Sequence, residues 1–236
     1  MPNSFPFDAV LWDMDGTLID SEPLWIEQER LLMERVGSTW SDEDAIHCVG
    51  GPMARVDAYM RSKLPSDFQE RFQPLDLTNQ LLQLMEERLS QNVSFTPGAH
   101  TLVHEMKRAN LPLALVSASS RPLMDAALKS IGSHLFDVTI SDNDVKNSKP
   151  DPEGYVKAAE ALGVDIARSL IIEDSITGMT AAIASGAFVI GLPHVAQLPQ
   201  GAKVIHHPSL DGLTMRTISD LFALVHEREW ADEISR

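Results

Sequence analysis

Two carboxylates lie one residue apart near the start of the chain, where their charges would strongly affect each other. Asp13 and Asp15 follow the apolar run Ala9-Val10-Leu11-Trp12 and precede Gly16. An apolar run that leads into two acids and a glycine indicates a buried strand followed by a loop. Because two such acids repel each other unless a cation or a proton lies between them, the pair predicts a metal site, a catalytic role, or both.

Three later segments carry polar residues next to predicted strands or helices. They are Ser117-Ala118-Ser119 after an apolar run, Lys149-Pro150-Asp151-Pro152 before a predicted helix, and Glu173-Asp174-Ser175 after another apolar run. The carboxyl ends of parallel strands meet at the same edge of a sheet. We therefore expect carboxylates, a hydroxyl group and one lysine to gather at that edge, beside the first pair of acids.

This set of groups suits phosphoryl transfer. A carboxylate can attack phosphorus and carry the group as an aspartyl phosphate. Carboxylates, a backbone carbonyl and water form the all-oxygen environment that Mg²⁺ prefers. Lys149 would neutralise the remaining phosphate charge, and Ser117 with the amide of Ala118 would bind phosphate oxygens at the start of the following helix.

The chain must position these residues with a sheet, and its pattern supplies one. Short apolar runs alternate with helical segments from about Pro97 onward. The predicted strands are Ala9–Trp12, Leu113–Val116, Val138–Ile140, Leu170–Ile172, Phe188–Ile190 and a weaker Val204–Ile205. The predicted helices between them are Ala99–Ala109, Pro122–Ile131, Pro152–Leu162 and Thr177–Ala184. This alternation predicts an α/β fold, a Rossmann-like parallel sheet with helices on both faces.

The stretch between the first strand and the rest of the sheet contains no convincing strand. Ser21 is a candidate cap for a helix, and Leu24, Gln28, Leu31 and Leu32 then follow amphipathic spacing. We therefore predict an all-helical insertion over residues 20–93, with the α/β core formed by residues 1–19 and 94–236.

Four motifs in the same order resemble those of the haloacid dehalogenase superfamily, and the resemblance covers essentially the whole chain. The motifs are Asp13-Met14-Asp15-Gly16-Thr17, Ser117, Lys149-Pro150-Asp151-Pro152 and Glu173-Asp174-Ser175-Ile176-Thr177-Gly178. The helical insertion resembles the small C1 cap of the beta-phosphoglucomutase-like branch. The resemblance thus implies a two-domain phosphotransfer enzyme with a cap that opens and closes.

The resemblance also implies roles for the acidic residues of the first and last motifs. Asp13 would be the nucleophile and a metal ligand. Asp15 would act as general acid and base, and its backbone carbonyl would bind the metal. Asp174 would be the third protein ligand of a Mg²⁺ ion, and Glu173 would orient water bound to that ion. An acid two residues after the nucleophile matches the phosphatases and mutases of the superfamily.

The cap sequence distinguishes between these two activities. The phosphoglucomutases carry a histidine where this chain has Trp25, and an arginine after a cap glycine, where Gly50-Gly51-Pro52-Met53 offers none in register. Arg55 lies two positions later. The segment from Ser21 to Trp25 resembles the cap entry of small sugar-phosphate phosphatases. We expect a phosphatase, with a phosphosugar mutase as the alternative; Trp25 and Arg55 are candidate specificity residues, although packing and solvent exposure are their commoner roles.

Two other functional classes are alternatives to the enzyme. A two-component receiver also combines acids, a hydroxyl and a lysine at strand ends and accepts phosphate on an aspartate. Receivers are about half as long, lack a helical insertion and place their lysine last, whereas Lys149 here precedes Glu173. A catalytically silent binding protein on this fold is a third option, which the complete motif set does not favour.

Composition excludes some partners. The chain has 236 residues, with 34 acidic and 19 basic side chains and a formal net charge of −15. This balance argues against nucleic acid and anionic membranes and leaves a small phosphorylated metabolite as the expected partner. Cys48 is the single cysteine, and the first residues lack a signal-peptide pattern. We therefore expect a cytoplasmic protein, with a monomer favoured.

Overall fold

The structure is a computed structural model that describes residues 5–49, 53–193 and 197–234. Its strands are β1 Ala9–Trp12, β2 Leu113–Val116, β3 Val138–Ile140, β4 Ser169–Glu173, β5 Phe188–Gly191 and β6 Val204–His206. Its helices are α1 Glu22–Arg35, α2 Asp42–Cys48, α3 Met53–Ser62, α4 Ser66–Gln69, α5 Asp76–Gln91, α6 Ala99–Arg108, α7 Arg121–Ile131, α8 Glu153–Leu162, α9 Ile176–Ser185 and α10 Met215–Ile234.

The six strands form one parallel sheet in the order β3-β2-β1-β4-β5-β6. The four inner strands are buried along their whole length, which explains why they are continuous apolar runs rather than alternating ones. The edge strands β3 and β6 are half-buried. The predicted α/β fold with a Rossmann-like parallel sheet is therefore confirmed.

Local signals explain the ends of two helices of the sheet-forming region. Gly163 and Gly186 follow α8 and α9 in the left-handed conformation, with φ values of 72° and 84°, and so terminate these helices. Helix α1 begins at Glu22, but Ser21 has helical angles and makes no side-chain capping bond to it. The predicted cap at Ser21 is therefore wrong, although the position of the helix start is right.

Contacts between Cα atoms divide the chain into two compact units. The first, called here the core unit, comprises Met1–Asp20, Ser94–Met124 and Gly132–Arg236. The second, called the helical unit, comprises Ser21–Val93 and also Asp125–Ile131, the end of α7. The sequence pattern predicts this last segment to be part of the core.

Each unit has its own apolar interior. In the core unit, one face of the sheet packs against α8 and α9 through a cluster that includes Leu11, Val116, Tyr155, Ile171 and Met179. In the helical unit, α5 contacts both α1 and α3 around a separate cluster of buried side chains. No helix in the described part of the chain is long and apolar enough to cross a membrane.

Candidate active site

The register of the sheet brings the four predicted segments to one edge. Trp12, the last residue of the central strand β1, pairs with Leu115 in β2 and with Ile172 in β4. The next residue, Asp13, donates its backbone N–H to the carbonyl of Ile172 at 3.0 Å. Strands β2 and β4 each end one residue beyond these partners, at Val116 and Glu173. Ser117, the residue after β2, and Glu173 therefore lie on either side of Asp13.

The ammonium of Lys149 is bound to the candidate nucleophile. Its Nζ donates to Asp13 Oδ1 at 2.6 Å, to Glu173 Oε1 at 2.8 Å and to the carbonyl of Val116 at 2.9 Å. Both side chains of the pair are almost fully buried, with 7% of the lysine and 9% of Asp13 exposed. All three ammonium protons therefore have acceptors, and the lysine holds Asp13 in one orientation.

Both carboxylate oxygens of Glu173 are engaged by protein donors. Oε1 accepts from Lys149 and from the hydroxyl of Tyr155, each at 2.8 Å. Oε2 accepts from the backbone N–H groups of Asp174 at 3.0 Å and Ser175 at 3.2 Å, and from the Ser175 hydroxyl at 3.2 Å. Glu173 thus connects Lys149 to the loop after β4, and its implied role towards metal-bound water stays a prediction.

Asp15, the candidate acid and base, is held by two serines. Its Oδ2 accepts from Ser117 Oγ at 3.3 Å and from Ser119 Oγ at 2.8 Å. The backbone N–H of Ser119 in turn donates to Ser117 Oγ at 2.9 Å. The loop after β2 therefore positions the second acid of the opening pair, while Lys149 positions the first.

Burial and charge act together on the pKa values at this site. Burial raises the pKa of Asp13 well above its usual range; the charges of Glu173 and Asp174 add to this rise, and Lys149 opposes it. Burial alone would lower the pKa of Lys149, but the carboxylates of Asp13 and Glu173 raise it above its ordinary value. Burial and the nearby carboxylates also raise the pKa of Tyr155, which keeps its hydroxyl a donor. The site thus contains one buried cation, the Lys149 ammonium, among several acidic side chains.

The acids also fit a divalent cation. One carboxylate oxygen each from Asp13, Glu173 and Asp174 lies within 4.8 Å of the others, and an all-oxygen set of this kind suits Mg²⁺. Gly16 has a φ of +81°, and a Cβ atom there would lie 2.2 Å from Asp174 Oδ2. The glycine of the opening motif therefore leaves room for the Asp174 carboxylate. Thr17 Oγ1 donates to the other oxygen of Asp174 at 3.1 Å and orients it.

The predicted phosphate-binding residues also meet. Ser117, Ala118 and Lys149 together line a small cavity of about 10 Å³, which is space for roughly one water molecule. Their binding of phosphate stays a prediction, as does the binding of metal by the carbonyl of Asp15.

Comparison with known proteins identifies the family. The model of the family described as "Haloacid dehalogenase-like hydrolase" matches residues 10–192, which is most of the chain. The chain belongs to this family. The predicted family membership is therefore confirmed, and the chain is an enzyme of the hydrolase class.

Two curated relatives of this hydrolase are named as phosphatases. It is 30% identical over 187 residues to the validoxylamine A 7'-phosphate phosphatase of Streptomyces hygroscopicus subsp. limoneus, covering 79% of this chain and 85% of that protein. It is 27% identical over 198 residues to hexitol phosphatase A of Escherichia coli, covering 80% of this chain and 85% of that protein.

A solved structure supports the fold of this hydrolase. The β-phosphoglucomutase of Clostridium difficile superposes with a TM-score of 0.69 at 21% identity, covering 98% of this chain and 100% of that chain. At this identity the likeness shows the fold alone.

The two candidate specificity residues of this hydrolase lie in the helical unit. Trp25 in α1 is half-buried and packs against the apolar cluster of that unit. Arg55 in α3 is exposed and donates to the backbone carbonyl of His47 at 2.9 Å. Residues 50–52, which include the cap glycines, lie outside the described residues. The roles of Trp25 and Arg55 towards substrate remain predictions.

Three residues of the site were not predicted from the sequence. Ser119 contacts Asp15, Thr17 contacts Asp174, and Tyr155 contacts Glu173. Ser119 and Thr17 lie inside or beside predicted motifs. Their hydroxyl groups, as possible donors to the nearby acids, were the only feature of the sequence that could have indicated a role. Tyr155 lies in the predicted helix after Lys149, and only its hydroxyl distinguishes it there from an ordinary core residue.

Proposed function

We propose that this enzyme is a Mg²⁺-dependent phosphatase that hydrolyses a small phosphomonoester, of the sugar-phosphate class, through an aspartyl-phosphate intermediate on Asp13. The observation that carries the proposal is the juxtaposition of Asp13 with the ammonium of Lys149 and the carboxylate of Asp174. The two phosphatase relatives support the reaction type, and the name hexitol phosphatase supports a polyol or sugar phosphate.

In the first step, a carboxylate oxygen of Asp13 forms a bond to phosphorus while the bond from phosphorus to the leaving oxygen breaks. The carboxyl group of Asp15 gives its proton to that leaving oxygen, which departs as an alcohol. Lys149 keeps Asp13 oriented for the attack, and its charge lies where the phosphoryl oxygens gather negative charge. The contact of Asp15 with Ser117 and Ser119 would fix the acid before substrate enters.

In the second step, the carboxylate of Asp15 takes a proton from water as the water oxygen attacks phosphorus. The bond from phosphorus to Asp13 breaks at the same time, which releases inorganic phosphate, restores the carboxylate of Asp13 and returns Asp15 to its protonated form. When bound, Mg²⁺ would be held by Asp13, Asp174 and the carbonyl of Asp15, and would supply charge neutralisation at the phosphoryl oxygens. The cytoplasmic location and the monomeric state expected from the sequence belong to this proposal as well.

Phosphate release from a panel of phosphorylated sugars and polyols with Mg²⁺ tests the proposal. The parent should release phosphate from at least one of them, and Asp13→Asn should lose activity by at least about a thousandfold because the amide is not a nucleophile. Asp42→Asn, an exposed carboxylate in the helical unit, is the matched control and should retain activity.

Other outcomes would favour other functions. No release from any substrate, with or without Mg²⁺, would contradict the phosphatase. Conversion of a sugar 1-phosphate into its 6-phosphate would favour the mutase. A phosphoprotein that decays slowly and controls a partner would favour the signalling class.

A further inference from the structure

We propose that the hydroxyl of Tyr155 is a positioning group for the reaction, because it holds Glu173 and thereby keeps the ammonium of Lys149 shared with Asp13. The inference rests on the proposed function, since its main effect is on turnover. Tyr155 is fully buried and its hydroxyl contacts Glu173, so the residue acts through others.

The Glu173 carboxylate has several contacts besides the one with Tyr155. Backbone N–H groups of Asp174 and Ser175 hold Oε2, and Lys149 contacts Oε1. On a further side lies Gly178 in α9, where a Cβ atom would be 1.6 Å from Oε1. The carboxylate therefore packs directly against the backbone of α9, and the Tyr155 hydroxyl supplies the second donor to Oε1.

The position of the Lys149 ammonium depends on how its three protons are shared. It donates to Asp13, to Glu173 and to the carbonyl of Val116. Because the Tyr155 hydroxyl also donates to Oε1, it stabilises part of the negative charge on this oxygen, which then attracts the ammonium less strongly. Without the hydroxyl, Lys149 would be the sole donor to Oε1 in the described structure. Oε1 would then draw the ammonium away from Asp13.

Phenylalanine removes this hydroxyl and little else. The ring of Tyr155 lies in the core cluster beside Ala158 and Ala159, and Lys149 Nζ lies 4.8 Å from the ring centroid. Tyr155→Phe keeps the packing and the contact of the cation with the ring. The variant therefore separates the hydrogen bond from the structural role of the side chain.

The chain offers a matched control, because its second tyrosine makes the same kind of contact elsewhere. Tyr59 in the helical unit donates its hydroxyl to Asp44 Oδ1 at 2.7 Å. We expect Tyr155→Phe to lower kcat about tenfold with KM within about twofold, which is the size of one hydrogen bond to a charged group. We expect Tyr59→Phe to leave kcat within about twofold of the parent.

A double-mutant cycle shows whether the effect passes through Glu173. In a Glu173→Gln background, the further change Tyr155→Phe should cost at most about twofold in kcat. An equal loss in both backgrounds, or a kcat for Tyr155→Phe within twofold of the parent, would overturn the proposal. A parent that releases no phosphate would instead contradict the proposed function.

A crystal structure of Tyr155→Phe gives a readout that does not depend on activity. The distance from Lys149 Nζ to Asp13 Oδ1 should lengthen from 2.6 Å relative to the parent crystal structure, with the distance to Glu173 unchanged or shorter. Superposable positions of Lys149 in the two crystals would overturn the proposal.

Discussion

Two buried glutamates, one in each unit, have very different surroundings. Glu173 in the core unit accepts five hydrogen bonds from described residues, one of them from a buried ammonium. Glu29 in α1 of the helical unit is 6% exposed and accepts one from the described residues, from Trp40 Nε1 at 3.0 Å. Burial raises the pKa of Glu29 to about 7, which the Trp40 hydrogen bond only partly opposes.

The comparison of Glu173 with Glu29 shows that a carboxylate stays ionised when buried only where donors and a counter-charge surround it. A buried carboxylate that is surrounded by donors and paired with a cation is part of a fixed network, whereas one with a single neutral donor tends to take up a proton instead. The core unit thus concentrates compensated charge at the candidate active site. The helical unit holds a carboxyl group that titrates near neutral pH.

The largest expected effect comes from removing the cation of the core network. Lys149→Met leaves Asp13 and Glu173 buried without their counter-charge, and should lower the free energy of unfolding by about 3–5 kcal/mol. Chemical denaturation with a chelator present, so that no bound cation replaces the ammonium, measures this change.

Lys129→Met, at an exposed position in α7, is the control for this variant and should change the free energy of unfolding by less than about 0.5 kcal/mol. Equal stability of the two variants would show that the buried network contributes no more than a surface lysine.

The next effect concerns Glu29 and depends on pH. Its folded pKa of about 7 lies above the unfolded value, so the stability associated with the protonated form is fully present below the unfolded pKa and is lost as pH rises through 7. Glu29→Gln removes this dependence. Relative to the parent, the variant should gain about 2–3 kcal/mol between pH 5 and pH 8.

Thermal and chemical unfolding of the full chain at the two pH values measures this gain. The cost of burying the glutamine amide is the same at pH 5 and pH 8. The change in the stability difference between these pH values therefore reports only the titration of Glu29. A stability difference between parent and variant that does not change with pH would contradict the raised pKa of Glu29.

The smallest effect concerns a carboxylate of the helical unit that resembles Glu173 in its surroundings. Asp57 in α3 is buried and accepts from the N–H groups of Leu75 at 2.9 Å and Thr78 at 3.3 Å, and from Arg61 at 2.8 Å. Burial would raise its pKa, but these donors lower it below the usual range. Asp57→Asn should therefore cost about 1–2 kcal/mol at pH 7.

The pH dependence of this cost should run opposite to that of Glu29. The stability that ionised Asp57 provides is present above its unfolded pKa and is lost as pH falls through the folded pKa. Unfolding measured from neutral to strongly acidic pH should show parent and Asp57→Asn converging. A destabilisation by Asp57→Asn that grows towards acidic pH would contradict the lowered pKa of Asp57.

The sequence was sufficient to predict the sheet and the residues that meet at its edge. Continuous apolar runs predicted the four inner strands, because strands buried on both faces need apolar residues, whereas the half-buried edge strands β3 and β6 gave shorter signals. Polar residues directly after such runs then predicted that Asp13, Ser117 and Glu173 would lie together, since parallel strands end at one edge.

Contacts between side chains distant in sequence were not predictable in this way. Tyr155 and Glu173 lie 18 residues apart, and Ser119 and Asp15 are separated by 104, so each pair depends on the packed fold. The amphipathic pattern of α1 was also only partly right. The spacing favoured Leu31, whereas the structure buries Glu29, because the tertiary contacts of a helix decide which charged residue packs inward.

The central claim is that Asp13 carries the phosphoryl group, and intact-protein mass spectrometry tests it most directly. Asp15→Asn should slow hydrolysis of the intermediate, while p-nitrophenyl phosphate, whose leaving group needs no protonation, still permits its formation. With this substrate and Mg²⁺, the variant should gain the mass of one phosphoryl group, and peptide mapping should locate it on Asp13. Release of p-nitrophenol with no covalent adduct, or an adduct on another residue, would contradict the account.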